Sequence, residues 1–194
     1  MPRKDGGATA RDRYHSPRQH ISRRDSEQAL TVATDLIRLG CPVGVARPAI
    51  TRSTGEWATT GGHGGSGFWF SDDWENTPAD LRTLDRWRYG DALFMVTGHT
   101  LDVIDIDPRN GGDDAYAELA RLGIIPEVYA RAATPSGGQH LFIAGTGARK
   151  TKRDGIDLQA GDADGNGRGF VFIAPTVRRS KADGVIRPYV WGQA

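Results

Sequence analysis

At positions 101–108 the chain reads LDVIDIDP, an apolar run interrupted by acidic side chains. In a β-strand, Asp105 and Asp107 would lie on one face, while Ile104 and Ile106 would lie on the other. The two carboxylates would then be about 6.5–7 Å apart along the chain, close enough to share divalent cations. Aspartate is a poor strand former, and like charges on one face repel. The pattern therefore indicates either a metal site or a solvated edge strand.

Positions 134–143 read TPSGGQHLFI, a Ser-Gly-Gly turn that leads into an apolar strand. Gly137 and Gly138 would let the backbone approach a ligand closely, and Ser136 and backbone N–H groups can bind phosphate oxygens. His140 begins the strand, where a histidine is more often a half-buried structural residue than a ligand. The run is compatible with a phosphate-binding turn and with a structural turn.

A third short strand pattern, over residues 155–158, places Asp157 between apolar residues. Alone, this pattern is weak. Together with the first two, it supplies three aspartates and a histidine from separate strands. Two-metal phosphoryl transfer requires such a set, with carboxylates for the ions and donors for a triphosphate.

The composition indicates a globular intracellular protein of 194 residues. There are 25 Lys and Arg against 24 Asp and Glu, and the net charge of +1 excludes a protein that binds nucleic acid through bulk charge alone. The single cysteine, Cys41, excludes a disulfide framework and is typical of a reducing cytoplasm. Because no apolar run reaches the roughly 18–20 residues of a membrane span, we expect no membrane partner.

The basic residues are concentrated at the N-terminus. Residues 1–25 contain seven Lys and Arg and three Asp, a net charge of +4, and almost no apolar side chains. Such a segment cannot bury enough surface to offset its ordering entropy. We therefore expect a disordered tail over residues 1–25 and one folded domain over residues 26–194.

The remaining pattern contains few helices and many strands, which predicts an α+β fold with a largely antiparallel or mixed sheet. The helices are expected over 26–39, from Thr77 with Leu81, Leu84 and Trp87 facing inward, and over 113–122. The strands are expected at 43–45, 92–97, 101–106, 127–133, 139–144, 155–159, 169–174 and 188–191. The strands at 92–97 and 101–106 are joined by three residues and are predicted to form a hairpin.

The order of the three motifs resembles that of the archaeo-eukaryotic primase superfamily. It is most similar to the bifunctional primase-polymerase domain of plasmid- and phage-encoded replication proteins. The resemblance extends from about Ala29 to Trp191, and its most specific part is the Ser-Gly-Gly-x-His element. Further matches are Leu84-x-x-Trp87, Thr97-Gly98, Asp107-Pro108, Gly111-Gly112 and Ala174-Pro175.

The resemblance implies a core like an RNA-recognition motif beside a second small α/β lobe, with the active site between them. It implies a primase-polymerase that uses two Mg²⁺ or Mn²⁺ ions held by Asp105, Asp107 and Asp157. His140 would complete the catalytic set, and the incoming dNTP or NTP would be bound by Ser136, Gly137, Gly138, His140 and Lys150. Expected partners are a single-stranded DNA template, a primer, and helical and helicase regions downstream in a longer protein. The expected location is the cytoplasm of a bacterial host.

Two basic clusters are candidates for contact with DNA. Arg149, Lys152 and Arg153 lie between the second and third motifs, and Arg178 and Arg179 follow the last long strand. Either cluster is equally compatible with a solvated loop. Three aromatic residues in a glycine-rich loop, Trp57, Phe68 and Trp69, are expected either to stack bases or to cap the core.

Residues 161–168 contain a partial match to a calcium-binding EF-hand loop. Asp162, Asp164, Asn166 and Gly167 occupy its first, third, fifth and sixth positions. The twelfth position, however, is Ile173 rather than a glutamate. We interpret the segment as a turn between strands.

Two other functions remain open. A two-metal nuclease also needs clustered aspartates, although Asp157-Leu158-Gln159 lacks the acidic-x-Lys ending of the common nuclease pattern. A non-catalytic single-stranded-DNA-binding module could retain the fold, but clustered carboxylates would then be a liability without a function.

Overall fold

Twelve β-strands and two α-helices form the framework of residues 16–192, the part of the chain described by this computed structural model. The helices are α1, Arg23–Arg38, and α2, Gly112–Arg121. The first six strands are β1 Val43–Pro48, β2 Phe68–Trp69, β3 Ala92–Val96, β4 Leu101–Ile106, β5 Ala130–Ala133 and β6 Gln139–Ala144. The others are β7 Thr151–Arg153, β8 Ile156–Gln159, β9 Phe170–Phe172, β10 Val177–Arg179, β11 Ile186–Pro188 and β12 Val190–Trp191.

A six-stranded sheet carries all three sequence motifs. Its strand order is β12-β5-β6-β4-β8-β7, and every neighbouring pair is antiparallel. The central strand, β4, pairs with β6 on one side and with β8 on the other. Few helices and many antiparallel strands confirm the α+β class, whereas likeness to an RNA-recognition motif stays a prediction.

A second sheet has the order β2-β1-β3-β9 and is also antiparallel. The expected hairpin between β3 and β4 is therefore wrong, because these strands belong to different sheets. The buried Asp102 carboxylate explains why the chain passes from one sheet to the other between β3 and β4. It accepts the Gly98 N–H at 2.8 Å and both the N–H and the hydroxyl of Thr146. These bonds hold the connection in a form that directs β4 away from β3.

Three apolar clusters stabilise the two sheets. One cluster joins α1 to side chains of both sheets, among them Val43, Met95 and Phe142. An aromatic cluster that includes Phe68, Phe94 and Phe172 packs on the second sheet. The third cluster, built on Ile104 and Ile106, lies on the face of β4 opposite that of Asp105, with Tyr116 of α2 packed against it.

Two helix predictions need correction. Helix α1 begins at Arg23 rather than at residue 26, because the Ser22 hydroxyl caps the Asp25 N–H at 3.0 Å. The second expected helix is a short 3₁₀ helix, Leu81–Arg86, capped by Asp80 and not by Thr77. Leu81 does not face inward, since it is 46% exposed.

The aromatic residues of the glycine-rich loop separate into two groups. Trp57 and Phe68 are buried and cap the core, with Trp57 Nε1 donating to the Gly67 carbonyl. Trp69 is 58% exposed on the edge strand β2 and is the one of the three that has a surface available for stacking.

The first fifteen residues of the expected tail lie outside the described residues. Some of the remaining ten contact the folded domain: the Arg18 guanidinium lies 5.4 Å from the centre of the Tyr89 ring, and the Tyr89 hydroxyl donates to the Ile21 carbonyl at 2.7 Å. The domain boundary at residue 25 stays a prediction. In residues 16–192, neither helix has the length and apolar character needed to cross a membrane.

Candidate active site

Strand register brings the three motifs together on one face of the six-stranded sheet. On β4, Asp105 lies directly opposite His140 of β6 and Asp157 of β8. Residues directly opposite each other in antiparallel strands point to the same face, so the three side chains are neighbours. Asp107 follows the last residue of β4 and faces the same pocket. The expected common face of Asp105 and Asp107 is confirmed.

These side chains line a pocket of about 140 Å³, whose lining includes both acidic and basic side chains. The carboxylates of Asp105, Asp107 and Asp157 line it together with five cationic side chains. The cationic residues are Arg109, Lys152, Arg178, Arg179 and Lys181. Such a pocket suits a ligand that combines anionic groups with metal cations.

Asp105 lies in an unfavourable environment for its negative charge. Burial raises its pKa to about 6, and the negative charges of Asp157 and Asp107 act in the same direction. A positive charge placed among these carboxylates would relieve the repulsion.

His140 is a buried, neutral partner of this carboxylate. Its Nε2 lies 3.5 Å from Asp105 Oδ1, and burial, aided by the positive charge of Arg178, lowers the pKa of the imidazole to about 3. Nδ1 is buried with no hydrogen-bond partner. The ring is therefore uncharged at neutral pH, and one of its two nitrogens has no hydrogen-bond partner.

Asp107 is fully engaged by its own turn. Both of its oxygens are bonded by the Arg109 guanidinium, at 2.9 Å from Nε and 2.5 Å from Nη2, and Asn110 Nδ2 adds a bond at 2.8 Å. These bonds from Arg109 hold the pKa of Asp107 below its usual value. Asp107 is thus ionised, and both of its carboxylate oxygens already accept hydrogen bonds.

The Ser-Gly-Gly turn is held by its own hydrogen bonds. Gly137 N–H donates to the Thr134 carbonyl, and Gly138 N–H donates to Thr134 Oγ1 at 3.0 Å. Both N–H groups are already used, so a role for them in binding phosphate stays a prediction. The Ser136 hydroxyl accepts the Lys181 N–H at 2.9 Å, which ties the turn to the connection between β10 and β11.

Gly138→Ala is expected to lower the free energy of unfolding by about 2 kcal/mol, because overpacking a well-packed site costs roughly 1–3 kcal/mol. A Cβ at this position would collide with the Ile106 carbonyl oxygen, next to Asp107. Gly137→Ala is the matched control: its positive φ of 88° is strained for alanine, but the space around it is open. Urea denaturation would compare the two variants. A smaller loss for Gly138→Ala than for Gly137→Ala would contradict the steric argument.

The β10–β11 hairpin provides a cationic wall opposite the aspartates. The Arg178 guanidinium lies 5.1 Å from the centre of the Phe172 ring and donates to the Tyr189 hydroxyl at 3.3 Å. Its Nε is buried without a partner. The Tyr189 ring in turn lies 5.4 Å from the ring of His140. Arg178 is therefore a positioned cation with an unused donor beside the pocket.

The other basic cluster divides between the pocket and the surface. Lys152 lines the pocket, with Nζ 3.5 Å from Asp157 Oδ2, because residues 151–153 form β7 rather than a loop. Arg149 pairs with Asp162 and Arg153 with Asp154, both away from the pocket lining. Lys150 is exposed and is also outside the lining.

The EF-hand-like segment closes on itself. Asp162 accepts Arg149 Nε at 2.8 Å and the Asn166 N–H at 2.7 Å, so its carboxylate stabilises a turn. Within residues 16–192, no group of three or more His, Cys, Asp or Glu side chains is arranged as a ready metal site.

A comparison with family models identifies the domain. The model for the N-terminal domain of bifunctional DNA primase/polymerases, Prim-Pol, matches residues 33–194. This chain belongs to the Prim-Pol family. The match confirms the resemblance inferred from the motifs and indicates DNA and nucleotide substrates for the Prim-Pol domain. A search of the curated proteins found no match.

Two pocket residues of this Prim-Pol domain were missed by sequence reasoning. Arg109 follows Asp107 at a spacing of two residues in an Asp-Pro-Arg-Asn turn, and that spacing is a detectable signal for an ion pair. Tyr189 lies in a short strand region 49 residues after His140, and no local pattern relates the two.

Proposed function

We propose that this Prim-Pol domain is a template-dependent nucleotidyltransferase that synthesises and extends primers in phage or plasmid replication. The observation that carries the proposal is the single pocket in which three aspartates face a wall of arginine and lysine side chains. A primer 3′-oxygen would form a bond to the α-phosphorus of the incoming nucleotide, and the bond from that phosphorus to the β-phosphate bridge would break to release pyrophosphate.

The donor chemistry of the pocket fits Mg²⁺ or Mn²⁺, because both prefer carboxylate oxygens. Asp105, Asp107 and Asp157 would hold two such ions, which supply a lowered pKa for the attacking hydroxyl and neutralise charge on the leaving group. The raised pKa of Asp105 supports this assignment, since burial and the nearby charges of Asp157 and Asp107 disfavour its ionised form, which a bound cation would stabilise.

The triphosphate of the incoming nucleotide would lie against the hairpin side of the pocket. Arg178, Arg179 and Lys181 line that side and supply the positive charge. The Ser136 hydroxyl and the neutral ring of His140 add hydrogen-bonding groups next to them. Arg178 and Arg179 are thus proposed as nucleotide contacts rather than as the DNA contacts that their sequence cluster predicts. Contact of Arg149, Lys152 and Arg153 with DNA stays a prediction. So do contact of Lys150 with the nucleotide and the downstream helical and helicase regions.

A two-metal nuclease is the second candidate, and Lys152 is the observation in its favour. Nucleases of this class commonly place a lysine beside the metal-binding carboxylates, and Lys152 Nζ lies 3.5 Å from Asp157 Oδ2. The family membership supports the polymerase instead.

A primer-extension assay separates these functions. The domain is incubated with a labelled primer on a single-stranded template, Mn²⁺ and nucleotides, with and without the nucleotides. Products longer than the primer are expected. Shorter products would support the nuclease, and an unchanged primer bound in a gel-shift assay would indicate a binding module.

A further inference from the structure

Arg109 makes an unusual set of contacts for a residue next to a proposed metal ligand. Its Nε and Nη2 bond the two oxygens of Asp107, and its backbone N–H adds a bond to Oδ1 at 3.1 Å. Asn110 Nδ2 bonds the remaining side of Oδ2. Asp107 therefore has two donors on each oxygen, and a metal ion cannot bind it in this arrangement without displacing one of them.

The ion pair differs from the surface pairs of the same protein. The side chains of Arg109 and Asp107 are 34% and 25% exposed, whereas those of Arg121 and Glu118, on α2, are 68% and 54% exposed. The interaction of a planar guanidinium with a carboxylate through two parallel hydrogen bonds is strong and specific. Solvent screens such an ion pair less when the pair is partly buried. The pair also lies in the pocket, where Asp105 and Asp157 carry further negative charge.

The guanidinium is not needed to form the turn. Asp107 also accepts the Gly112 N–H at 3.0 Å through its backbone carbonyl, and the Asn110 N–H bonds the same oxygen at 3.1 Å. Together with the bonds from the Arg109 N–H and Asn110 Nδ2 to the carboxylate, these contacts hold residues 107–112 without the Arg109 side chain.

We propose that Arg109 is a positioning residue that occupies the Asp107 carboxylate until a divalent cation displaces it. This inference rests on the proposed two-metal function. The guanidinium neutralises part of the acidic cluster in the metal-free domain and keeps Asp107 oriented. Once displaced, it remains at the pocket and pairs with the phosphates of the nucleotide, because a guanidinium matches phosphate as well as carboxylate. Metal binding and nucleotide binding then support each other.

Mn²⁺ binding in the absence of nucleotide tests the proposal, with electron paramagnetic resonance measuring free Mn²⁺. Arg109→Ala is expected to bind Mn²⁺ about tenfold more tightly than the wild-type domain, since loss of one close charge pair changes an equilibrium by about this factor. Arg109→Gln should behave similarly, and Arg109→Lys should be intermediate. Arg121→Ala, which removes the exposed pair on α2, is the matched control and should bind like the wild type.

A second titration contains a nucleotide with a non-hydrolysable α,β bond. The nucleotide should strengthen Mn²⁺ binding more in the wild type than in Arg109→Ala, because the variant lacks the guanidinium that the phosphates attract. Melting temperatures of all variants show whether they are folded.

The possible outcomes separate the two proposals. Equal or weaker Mn²⁺ binding by folded Arg109→Ala and Arg109→Gln would overturn the role of Arg109 while leaving the two-metal function intact. Failure of the wild type and every variant to bind Mn²⁺, with or without nucleotide, would overturn the metal assignment itself.

Discussion

Asp105→Asn is expected to reduce nucleotide incorporation about a thousandfold while raising the melting temperature of the metal-free domain by a few degrees. Asp105 lies on the central strand, directly opposite His140 on one side and Asp157 on the other. Asparagine preserves its shape but removes the charge that binds cations. The same change removes a buried charge and its repulsion from Asp157 and Asp107, which explains the opposite effects on activity and stability.

The stability gain should depend on pH. Because the folded-state pKa of Asp105 is raised to about 6, the folded protein binds a proton more readily than the unfolded chain does. The wild type therefore loses stability as the pH rises from about 4 to 6. The stability advantage of Asp105→Asn should be nearly absent at about pH 4 and fully present above about pH 7.

Thermal melts in metal-free buffer and primer extension with Mn²⁺ measure the two effects. Asp35→Asn is the matched control, since Asp35 pairs with Arg38 on the exposed side of α1. It should change neither property. Incorporation by Asp105→Asn within tenfold of the wild-type rate would contradict the assignment of Asp105 as a metal ligand.

Arg178→Ala is expected to raise the KM for the incoming nucleotide by about ten- to a hundredfold, with DNA affinity changed less than about twofold. The magnitude follows from the roughly 1.5–3 kcal/mol of a hydrogen bond to a charged group. Arg178 lines the pocket, and its buried Nε has no partner, so a phosphate oxygen is the expected acceptor. Nucleotide KM in primer extension and DNA affinity by fluorescence anisotropy would be measured separately.

Two control variants support this comparison. Arg149→Ala removes an arginine that pairs with Asp162 outside the pocket, and it should leave nucleotide KM unchanged. Arg178→Met retains apolar contact with Phe172 and should show the same KM defect if charge is the cause. If Arg178→Ala lowers DNA affinity but leaves nucleotide KM unchanged, the β10–β11 hairpin contacts DNA and not the nucleotide.

Strands made of a short apolar run with marked ends are predicted well from the sequence. The bounds of β4 and β6 agree with the expected ones, because each is a mostly buried run that glycine-containing turns delimit. The short strands β7 and β10 were not predicted, since three residues carry too little periodicity to indicate a strand. The pairing of β3 with β1 and β9 was also missed, because the choice depends on the buried Asp102 and on distant strands.

The sequence by itself determined the family and the common face of Asp105 and Asp107. Motif order is read directly from the chain, and strand alternation is a local consequence of backbone geometry. Only the tertiary structure decided which cations meet those carboxylates. Arg178 and Lys152 reach the pocket whereas Arg149 and Arg153 do not, although all four belong to similar basic clusters. The physical reason is that strand register and hairpin placement bring distant residues together, and long charged side chains then pair with whichever acidic groups lie within reach.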